Sequence, residues 1–224
     1  MKFMFSYIYM PVSDLARGEI AGYSAMIAPE GSLSATDFFA RCAKAGRLHE
    51  MESDLFMDTA REAEALCSGG RSLWLNTFAY AGLTPDEIRA IAKKFPWTKG
   101  RLYAEASTFP AFDEQWQDKR KALRDAGWGL CYTTRSRDPE EIMAVSNALD
   151  SDMVKLEGFG VDPAVKAPFV AKVKKIIKGR PVLAGGLEND SALAKAVVGQ
   201  ADLGQGLRLG RPVRSEIREE RDYT

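Results

Sequence analysis

Residues 22–28 read Gly22-Tyr23-Ser24-Ala25-Met26-Ile27-Ala28, a run of small and apolar residues behind the turn-forming segment Asp14-Leu15-Ala16-Arg17-Gly18. The run is typical of a buried strand, predicted over 19–27. Together with a preceding strand over 3–9 it predicts an antiparallel hairpin. Ser24 lies where this strand ends, a position at which an enzyme of this size would place its first functional side chain.

Beyond the hairpin, helix and strand signals alternate to the end of the chain. Cap sequences such as Thr84-Pro85-Asp86-Glu87 and Asp138-Pro139-Glu140-Glu141 start two of the helices. The pattern predicts helices over 35–45, 50–66, 85–94, 114–126, 139–149, 163–177 and 190–198. It predicts eight strands, over 3–9, 19–27, 73–76, 102–105, 129–133, 153–157, 181–184 and 202–206. This α/β pattern favours a TIM-like (β/α)8 barrel with an antiparallel first strand, and a doubly wound open sheet is the alternative.

The chain length allows one large domain or two small ones. With 224 residues, a single well-buried core is the expectation. We expect residues 1–213 to form one barrel domain and residues 214–224 to form a C-terminal tail. Arginine and acidic residues alternate in this tail, which is typical of a solvated helix or a frayed end, and we assign it no function.

Composition excludes several classes of partner and site. Lys+Arg and Asp+Glu both count 31, so no net charge draws the chain to nucleic acid or anionic lipid. No apolar run is long enough to span a membrane, and the N-terminus lacks a signal-peptide cleavage site, so we expect a cytoplasmic location. Three scattered cysteines predict reduced core thiols, and the single histidine, His49, nearly excludes the usual metal and Ser-His-Asp sites.

Polar residues close most of the predicted strands. In a barrel such side chains converge on one mouth, at the C-terminal ends of the strands. An asparagine with several carboxylates would suit Mg²⁺ or Mn²⁺, with a lysine to orient water. The alternative is that these groups only satisfy one another beneath the loops. The candidates are Ser24, Asn76, Glu105, Thr133, Thr134, Lys155, Glu157, Gly185, Glu188 and Gln205.

Eight segments, taken in order, resemble an EAL domain, the cyclic di-GMP phosphodiesterase family. They span about Phe5 to Val213, nearly the whole chain, and the family's fold is a barrel whose first strand is antiparallel. The segments are Tyr9-Met10-Pro11, residues 18–26, residues 33–38, Leu73-Trp74-Leu75-Asn76, Ala104-Glu105, residues 152–157, residues 184–188 and residues 205–212.

The resemblance implies a role for five retained residues. Asn76 and Glu105 stand at two metal-ligand positions of the family, and Lys155 stands at the position of the lysine that helps to activate water. Glu188 matches the second glutamate of a late motif that supports a loop beside the site. Gln205 matches a polar residue near the nucleotide.

The departures from the family pattern are concentrated at the acidic positions. Ser24 replaces the signature metal-binding glutamate, and Thr133 and Thr134 replace paired aspartates. Spacing to Lys155 leaves a one-residue ambiguity there, but the neighbouring Arg135 is no metal ligand either. Gly185 replaces the first glutamate of the late motif. Because several acidic positions have changed together, we expect Mg²⁺ or Mn²⁺ binding to be lost or weak and hydrolysis to be absent, so no cofactor is expected.

Two contacts to the nucleotide are also altered, since Met10 replaces a glutamine and Ala28 replaces a phosphate-contacting arginine. Arg135 or Arg137 could supply positive charge from another direction. Cyclic di-GMP binding is therefore not the leading expectation.

Three hypotheses follow. The first is a catalytically inactive, EAL-like signalling or regulatory protein that acts through an unidentified protein partner. The second is a non-hydrolysing cyclic di-GMP receptor, and the third is an enzyme in which Lys155 acts with Glu105 or Glu157 on another substrate. A homodimer is possible, as it is for active family members. A partner could contact an aromatic patch, which has core packing as its alternative: Trp97, Phe109, Phe112 and Trp116.

Overall fold

The computed structural model describes residues 2–31, 34–78, 82–107, 114–217 and 219–222, apart from the side chains of residues 2, 3, 36, 76–78 and 222. Its strands are β1 Lys2–Asp14, β2 Glu19–Pro29, β3 Ser72–Phe78, β4 Leu102–Ala106, β5 Gly129–Thr134, β6 Met153–Leu156, β7 Val182–Gly185, β8 Leu203–Gln205, β9 Val213–Arg214 and β10 Glu219–Asp222. Its helices are α1 Ala35–Lys44, α2 Leu48–Leu66, α3 Pro85–Lys94, α4 Trp116–Asp125, α5 Pro139–Ala148, α6 Ala167–Ile176 and α7 Asp190–Val198.

Strands β1 to β8 form a closed barrel. Each strand pairs with the next in chain order, and β1 pairs with β8 to complete the ring. The first strand is antiparallel to both of its barrel neighbours, β2 and β8, whereas β2 to β8 run parallel. The predicted (β/α) barrel with an antiparallel first strand is therefore confirmed, and the open sheet is excluded.

The predicted cap sequences start helices as expected. The Thr84 side chain accepts a hydrogen bond from the Glu87 amide while the Glu87 side chain accepts from the Thr84 amide, a complete capping box for α3. The Asp138 side chain accepts from the Glu140 amide at the start of α5. Among the helices, the boundaries differ most at α6, which begins at Ala167 and not at residue 163. Among the strands, β1 continues to Asp14, five residues beyond its predicted end.

The hydrophobic core has two parts. The larger part fills the space between the outer faces of the strands and the surrounding helices. The smaller part fills the barrel interior, where Trp74 stacks on Tyr103 with ring centroids 5.3 Å apart. We call its fully enclosed members the lower layer: Val12, Trp74, Cys131, Met153 and Leu183.

The C-terminal tail extends the sheet, so its interpretation as a solvated helix or frayed end is wrong for the strand residues. β9 pairs with β1 at Ile8 and Tyr9, and β10 pairs with β1 over its first residues, from Lys2 to Phe5. Alternating charge suits a strand as well as a helix, and here the unpaired edge of β1 supplies the backbone partners.

Ion pairs attach β10 to α2. Arg221 lies 3.0 Å from the buried carboxylate of Asp58, and Arg61 lies 3.0 Å from Glu219. Tyr7 on β1 donates its hydroxyl to Asp58 at 3.1 Å. Three elements therefore meet at one buried carboxylate, which fixes the tail against the barrel.

The two described residues of the predicted aromatic patch, Trp97 and Trp116, pack in or against the hydrophobic core. Trp116 is buried, and Trp97 packs against the core and donates its indole N–H to the carbonyl of Ala60 at 3.1 Å. Phe109 and Phe112 lie outside the described residues. An aromatic docking surface thus has no support from Trp97 or Trp116.

The three cysteines are free and buried, as predicted for core thiols. Burial raises the pKa of the Cys42 and Cys67 thiols to about 11. Both therefore stay protonated at neutral pH. Within the described ranges, no helix combines the length and the apolar character needed to cross a bilayer.

Candidate functional site

The period of two along each strand places a polar layer directly above the lower layer. Glu105 follows Tyr103 by two residues on β4, and Lys155 follows Met153 in the same way on β6. Because residues i and i+2 of a strand face the same side, both side chains point into the barrel at its mouth. They line a cavity of about 510 Å³ with Ser24, Ala25, Met26, Ser107, Thr133, Thr134, Arg135 and Glu157.

Glu105 is the centre of this polar layer, and its side chain is only 5% exposed. Lys155 donates to both of its oxygens, with Nζ to Oε1 at 3.2 Å and Nζ to Oε2 at 3.3 Å. The Thr133 hydroxyl donates to Oε2 at 3.3 Å, and the Ser24 hydroxyl approaches Oε1 at 3.5 Å. Four strands thus supply one connected network.

Lys155 is held between two carboxylates, since its ammonium group also lies 3.2 Å from Oε1 of Glu157. Burial alone lowers the pKa of a lysine, but Glu105 and Glu157 outweigh it and raise the pKa of Lys155 above its ordinary value. Beneath them, burial and then the charge of Glu105 raise the pKa of the Cys131 thiol. At neutral pH the network therefore contains an ammonium ion and a neutral thiol.

The carboxylate of Glu157 takes up the space beside Gly185. A Cβ atom at position 185 would lie 2.6 Å from Oε2 and 2.7 Å from Oε1 of Glu157. A glutamate at position 185, as the resemblance would require, is therefore incompatible with this position of Glu157. Residue spacing does not predict this coupling, because Glu157 follows β6 whereas Gly185 lies on β7.

A second cavity of about 240 Å³ opens beside the first. We call it the side pocket, and it is lined by Met10, Met26, Lys155, Glu157, Gly186, Glu188, Gln205 and Gly206. Glu188 is exposed and accepts a hydrogen bond from the Leu207 amide at 3.3 Å. Gln205 is only 7% exposed, and its side-chain amide has no hydrogen-bond partner within the described part of the chain.

The remaining predicted residues fall at or near the mouth. Asn76 pairs in register with Glu105, although its side chain lies outside the described set. Thr134 lines the larger cavity, but its hydroxyl accepts a hydrogen bond from the Ser136 amide at 3.0 Å. The exposed Arg135 also lines the cavity.

Arg137, in contrast, is bound to the loop that follows β6. It donates to Asp162 at 2.8 Å and to the backbone carbonyl of Glu157 at 2.8 Å. Of the two arginines that could add positive charge, only Arg135 lines the cavity.

Three residues that line the larger cavity were not predicted from the sequence, Ala25, Met26 and Ser107. Met26 follows Ser24 by two residues on β2, and its register partner is Ile8. Strict alternation along the quoted run would have identified it. Ser107 follows β4 and carries no comparable signal.

Comparison with solved structures identifies the architecture. PaMucR phosphodiesterase in complex with c-di-GMP matches with a TM-score of 0.74 at 19% identity, covering 93% of this chain and 92% of that chain. The Klebsiella pneumoniae BlrP1 manganese/cy-diGMP complex matches with a TM-score of 0.78 at 19% identity, covering 96% of this chain and 59% of that chain. The Xanthomonas citri FimX EAL domain in complex with c-diGMP matches with a TM-score of 0.75 at 13% identity, covering 93% and 88%. The chain therefore has the EAL-domain fold. No family model and no curated protein matches its sequence.

Proposed function

We propose that this EAL-fold chain is a catalytically inactive signalling or regulatory protein that acts through contacts with a protein partner. One observation carries the proposal: the ammonium group of Lys155 is paired with both oxygens of Glu105, the central carboxylate of the mouth. A carboxylate in this state is neutralised from within the chain.

The donor set supports the absence of metal chemistry. A two-ion phosphodiester centre needs several anionic oxygens, and Ser24 and Thr133 offer neutral hydroxyls beside Glu105. Among the described residues, no group of three or more His, Cys, Asp or Glu side chains is arranged to hold a metal ion. These residues do not fit two divalent ions, and the proposal contains no step through a metal.

The state of Lys155 argues against an altered enzyme. A general base must be unprotonated at the working pH, and enzymes lower the pKa of a lysine to achieve this. Here the neighbouring carboxylates raise the pKa of Lys155, so the group stays charged. Lys155 therefore cannot serve as the base of the third hypothesis, whose base would have to be Glu105 or Glu157, each already paired with Lys155.

The test is hydrolysis of cyclic di-GMP by the intact chain with Mg²⁺ and with Mn²⁺. We expect no turnover by the wild-type protein, and we expect none from Ser24→Glu, because Thr133, Thr134 and Gly185 still lack carboxylates. Turnover by the wild-type protein would overturn the proposal. Turnover by Ser24→Glu alone would show that the defect lies at one position and is not distributed.

The second candidate is a non-hydrolysing receptor for cyclic di-GMP. It is favoured by Arg135, an exposed guanidinium group at the larger cavity that a phosphate could use. Calorimetric titration with cyclic di-GMP, with and without Mg²⁺, separates the candidates. We expect no saturable heat. Saturable binding that Arg135→Gln weakens, while Arg89→Gln on the exposed face of α3 does not, would make the receptor the correct function.

A further inference from the structure

We propose that the side pocket receives the guanidinium group of an arginine side chain presented by the protein partner. This inference rests on the proposed function, because it names the chemistry by which the mouth would recognise that partner. It is carried by the charge balance of the pocket, by an unpartnered buried amide and by the pocket's thioether walls.

The charge balance of the pocket is negative. Lys155 is shared between two carboxylates, since its ammonium group lies 3.2 Å and 3.3 Å from the oxygens of Glu105 and 3.2 Å from Glu157. Glu188 adds a third carboxylate at the pocket, so the single positive charge of Lys155 does not balance the negative charge of the three glutamates. A cation that entered from outside would meet an excess of negative charge.

Gln205 provides an independent indication of a ligand. Its side chain is 7% exposed and lines the side pocket, yet its amide has no hydrogen-bond partner among the described residues. The Gln205 amide is not one of the fully enclosed side-chain groups that lack a partner, so it is reached from the pocket and is free to bond an entering group. The amide oxygen of Gln205 can accept an N–H group from an entering side chain.

The pocket walls suit the aliphatic part of a long side chain. Met10 and Met26 line the pocket, and Met26 is 42% exposed at the rim. Leu207, which follows β8, is 56% exposed beside Glu188. Thioether groups are flexible and polarisable, so they adapt to the stem of an inserted side chain.

The acceptors favour guanidinium over ammonium. The pocket offers two carboxylates and one amide oxygen, and guanidinium presents five N–H donors in a planar fork. An ammonium ion is a more strongly hydrated point charge and gives up its water less readily. We therefore expect arginine to bind more tightly than lysine.

The test uses N-acetyl-arginine amide as the probe and the full chain with 13C-labelled methionine methyl groups. We expect saturable shifts of the Met10 and Met26 signals, with a dissociation constant of about 1 mM or weaker. The same titration with N-acetyl-citrulline amide, which keeps the shape and removes the charge, should give no saturation. Equal shifts from arginine and citrulline probes, or no saturation by the arginine probe, would overturn the inference.

Variants locate the bound group. We expect Glu188→Gln and Gln205→Leu each to weaken binding of the arginine probe by about threefold to tenfold, because the first removes a negative charge and the second removes an amide acceptor. Glu64→Gln, an exposed glutamate on α2, is the matched control and should leave binding unchanged. Folding of each variant is checked by thermal unfolding. Unaltered binding by a folded Glu188→Gln would place the probe elsewhere and contradict the proposal.

Failure of this inference is separate from failure of the proposed function. If the wild-type chain neither hydrolyses nor binds cyclic di-GMP and the arginine probe gives no saturation, only the arginine site is wrong. If cyclic di-GMP is hydrolysed or moves the Met10 and Met26 signals at saturation, the proposed function is wrong, whatever the arginine probe does.

Discussion

Two layers of the same barrel, only two residues apart along each strand, have opposite character. The lower layer is apolar, and on β5, β6 and β7 it consists of Cys131, Met153 and Leu183. Two residues later, the same strands carry Thr133, Lys155 and Gly185 at the mouth. Because neighbouring parallel strands are in register, residues at equivalent positions lie at the same height in the barrel. Moving two residues along each strand therefore leads from the lower layer to the polar layer above it.

The two layers contribute to stability in different ways. Side chains of the lower layer carry no charge at neutral pH and contribute by excluding water and by close packing. The polar layer at the mouth contains a network of charged side chains, which is stable only while those charges remain paired. Substitutions in the two layers should therefore fail for different physical reasons.

We expect the largest loss of stability when the ion pair between Lys155 and Glu105 in the polar layer is broken. Lys155→Met removes the cation and leaves Glu105, 5% exposed, without a partner for its charge. Loss of one member of a buried pair costs about 3–5 kcal/mol, so urea unfolding should show a loss of this size. The double variant Lys155→Met/Glu105→Gln should recover most of the loss. A stable single variant would mean that the pair is not what holds this layer.

The pH dependence provides a second check on the same pair. The pKa of Lys155 is raised in the folded state, above its ordinary value of 10.5. Its contribution is therefore fully present below that pH and is lost as the pH rises through the folded pKa. Wild-type stability should fall more steeply above pH 10.5 than that of Lys155→Met. Parallel curves from urea unfolding would contradict this assignment.

The next largest effect is expected in the lower layer. Leu183→Ala removes a fully buried side chain from the barrel interior and should cost about 2–5 kcal/mol, with no pH dependence between neutral and alkaline conditions. Val161→Ala, at a residue that is 88% exposed, is the control and should change stability by less than about 0.5 kcal/mol. Urea unfolding measures both variants. If Leu183→Ala lost no more stability than Val161→Ala, the lower layer would not stabilise the barrel by packing as we expect.

The sequence predicted the architecture because the periodicities are local. Caps at Thr84 and Asp138 and the turn after Asp14 appear in the structure as predicted. The tail was missed because its alternating charges suit a solvated helix as well as an edge strand. Only the tertiary position of β1 and of Asp58 on α2 decides between them.

Site prediction was limited in a different way. The strand-end rule identified Glu105, Lys155 and Gln205 as mouth residues, because position along a strand fixes which end a side chain occupies. The rule does not predict which hydrogen bonds and ion pairs these side chains form. That Glu157 takes up the space beside Gly185 depends on a side-chain rotamer, which no spacing rule encodes.

Gly22 and Gly185 allow a comparison of how closely each layer is packed. A Cβ atom at Gly22, two residues before Ser24, would lie 2.0 Å from the backbone carbonyl oxygen of Ser72 on the neighbouring strand. The backbone of a hydrogen-bonded sheet cannot shift without straining its hydrogen bonds. Gly22→Ala should therefore lower the free energy of unfolding by about 1–3 kcal/mol. Urea unfolding of this variant tests the close approach of β2 and β3, and an unchanged midpoint would exclude it.

The smallest effect is expected at Gly185, although its Cβ atom would also meet a neighbour, the Glu157 carboxylate, at 2.6 Å. This neighbour is the end of a flexible side chain that is already 25% exposed, so it can rotate towards the cavity. Gly185→Ala should therefore cost less than about 1 kcal/mol. The displaced carboxylate would leave Lys155 paired mainly with Glu105, so the steep alkaline loss of stability should become shallower than in the wild-type protein. A large loss of stability with an unchanged pH profile would mean that Glu157 is held as firmly as the backbone, and that the mouth is packed as tightly as the layer beneath it.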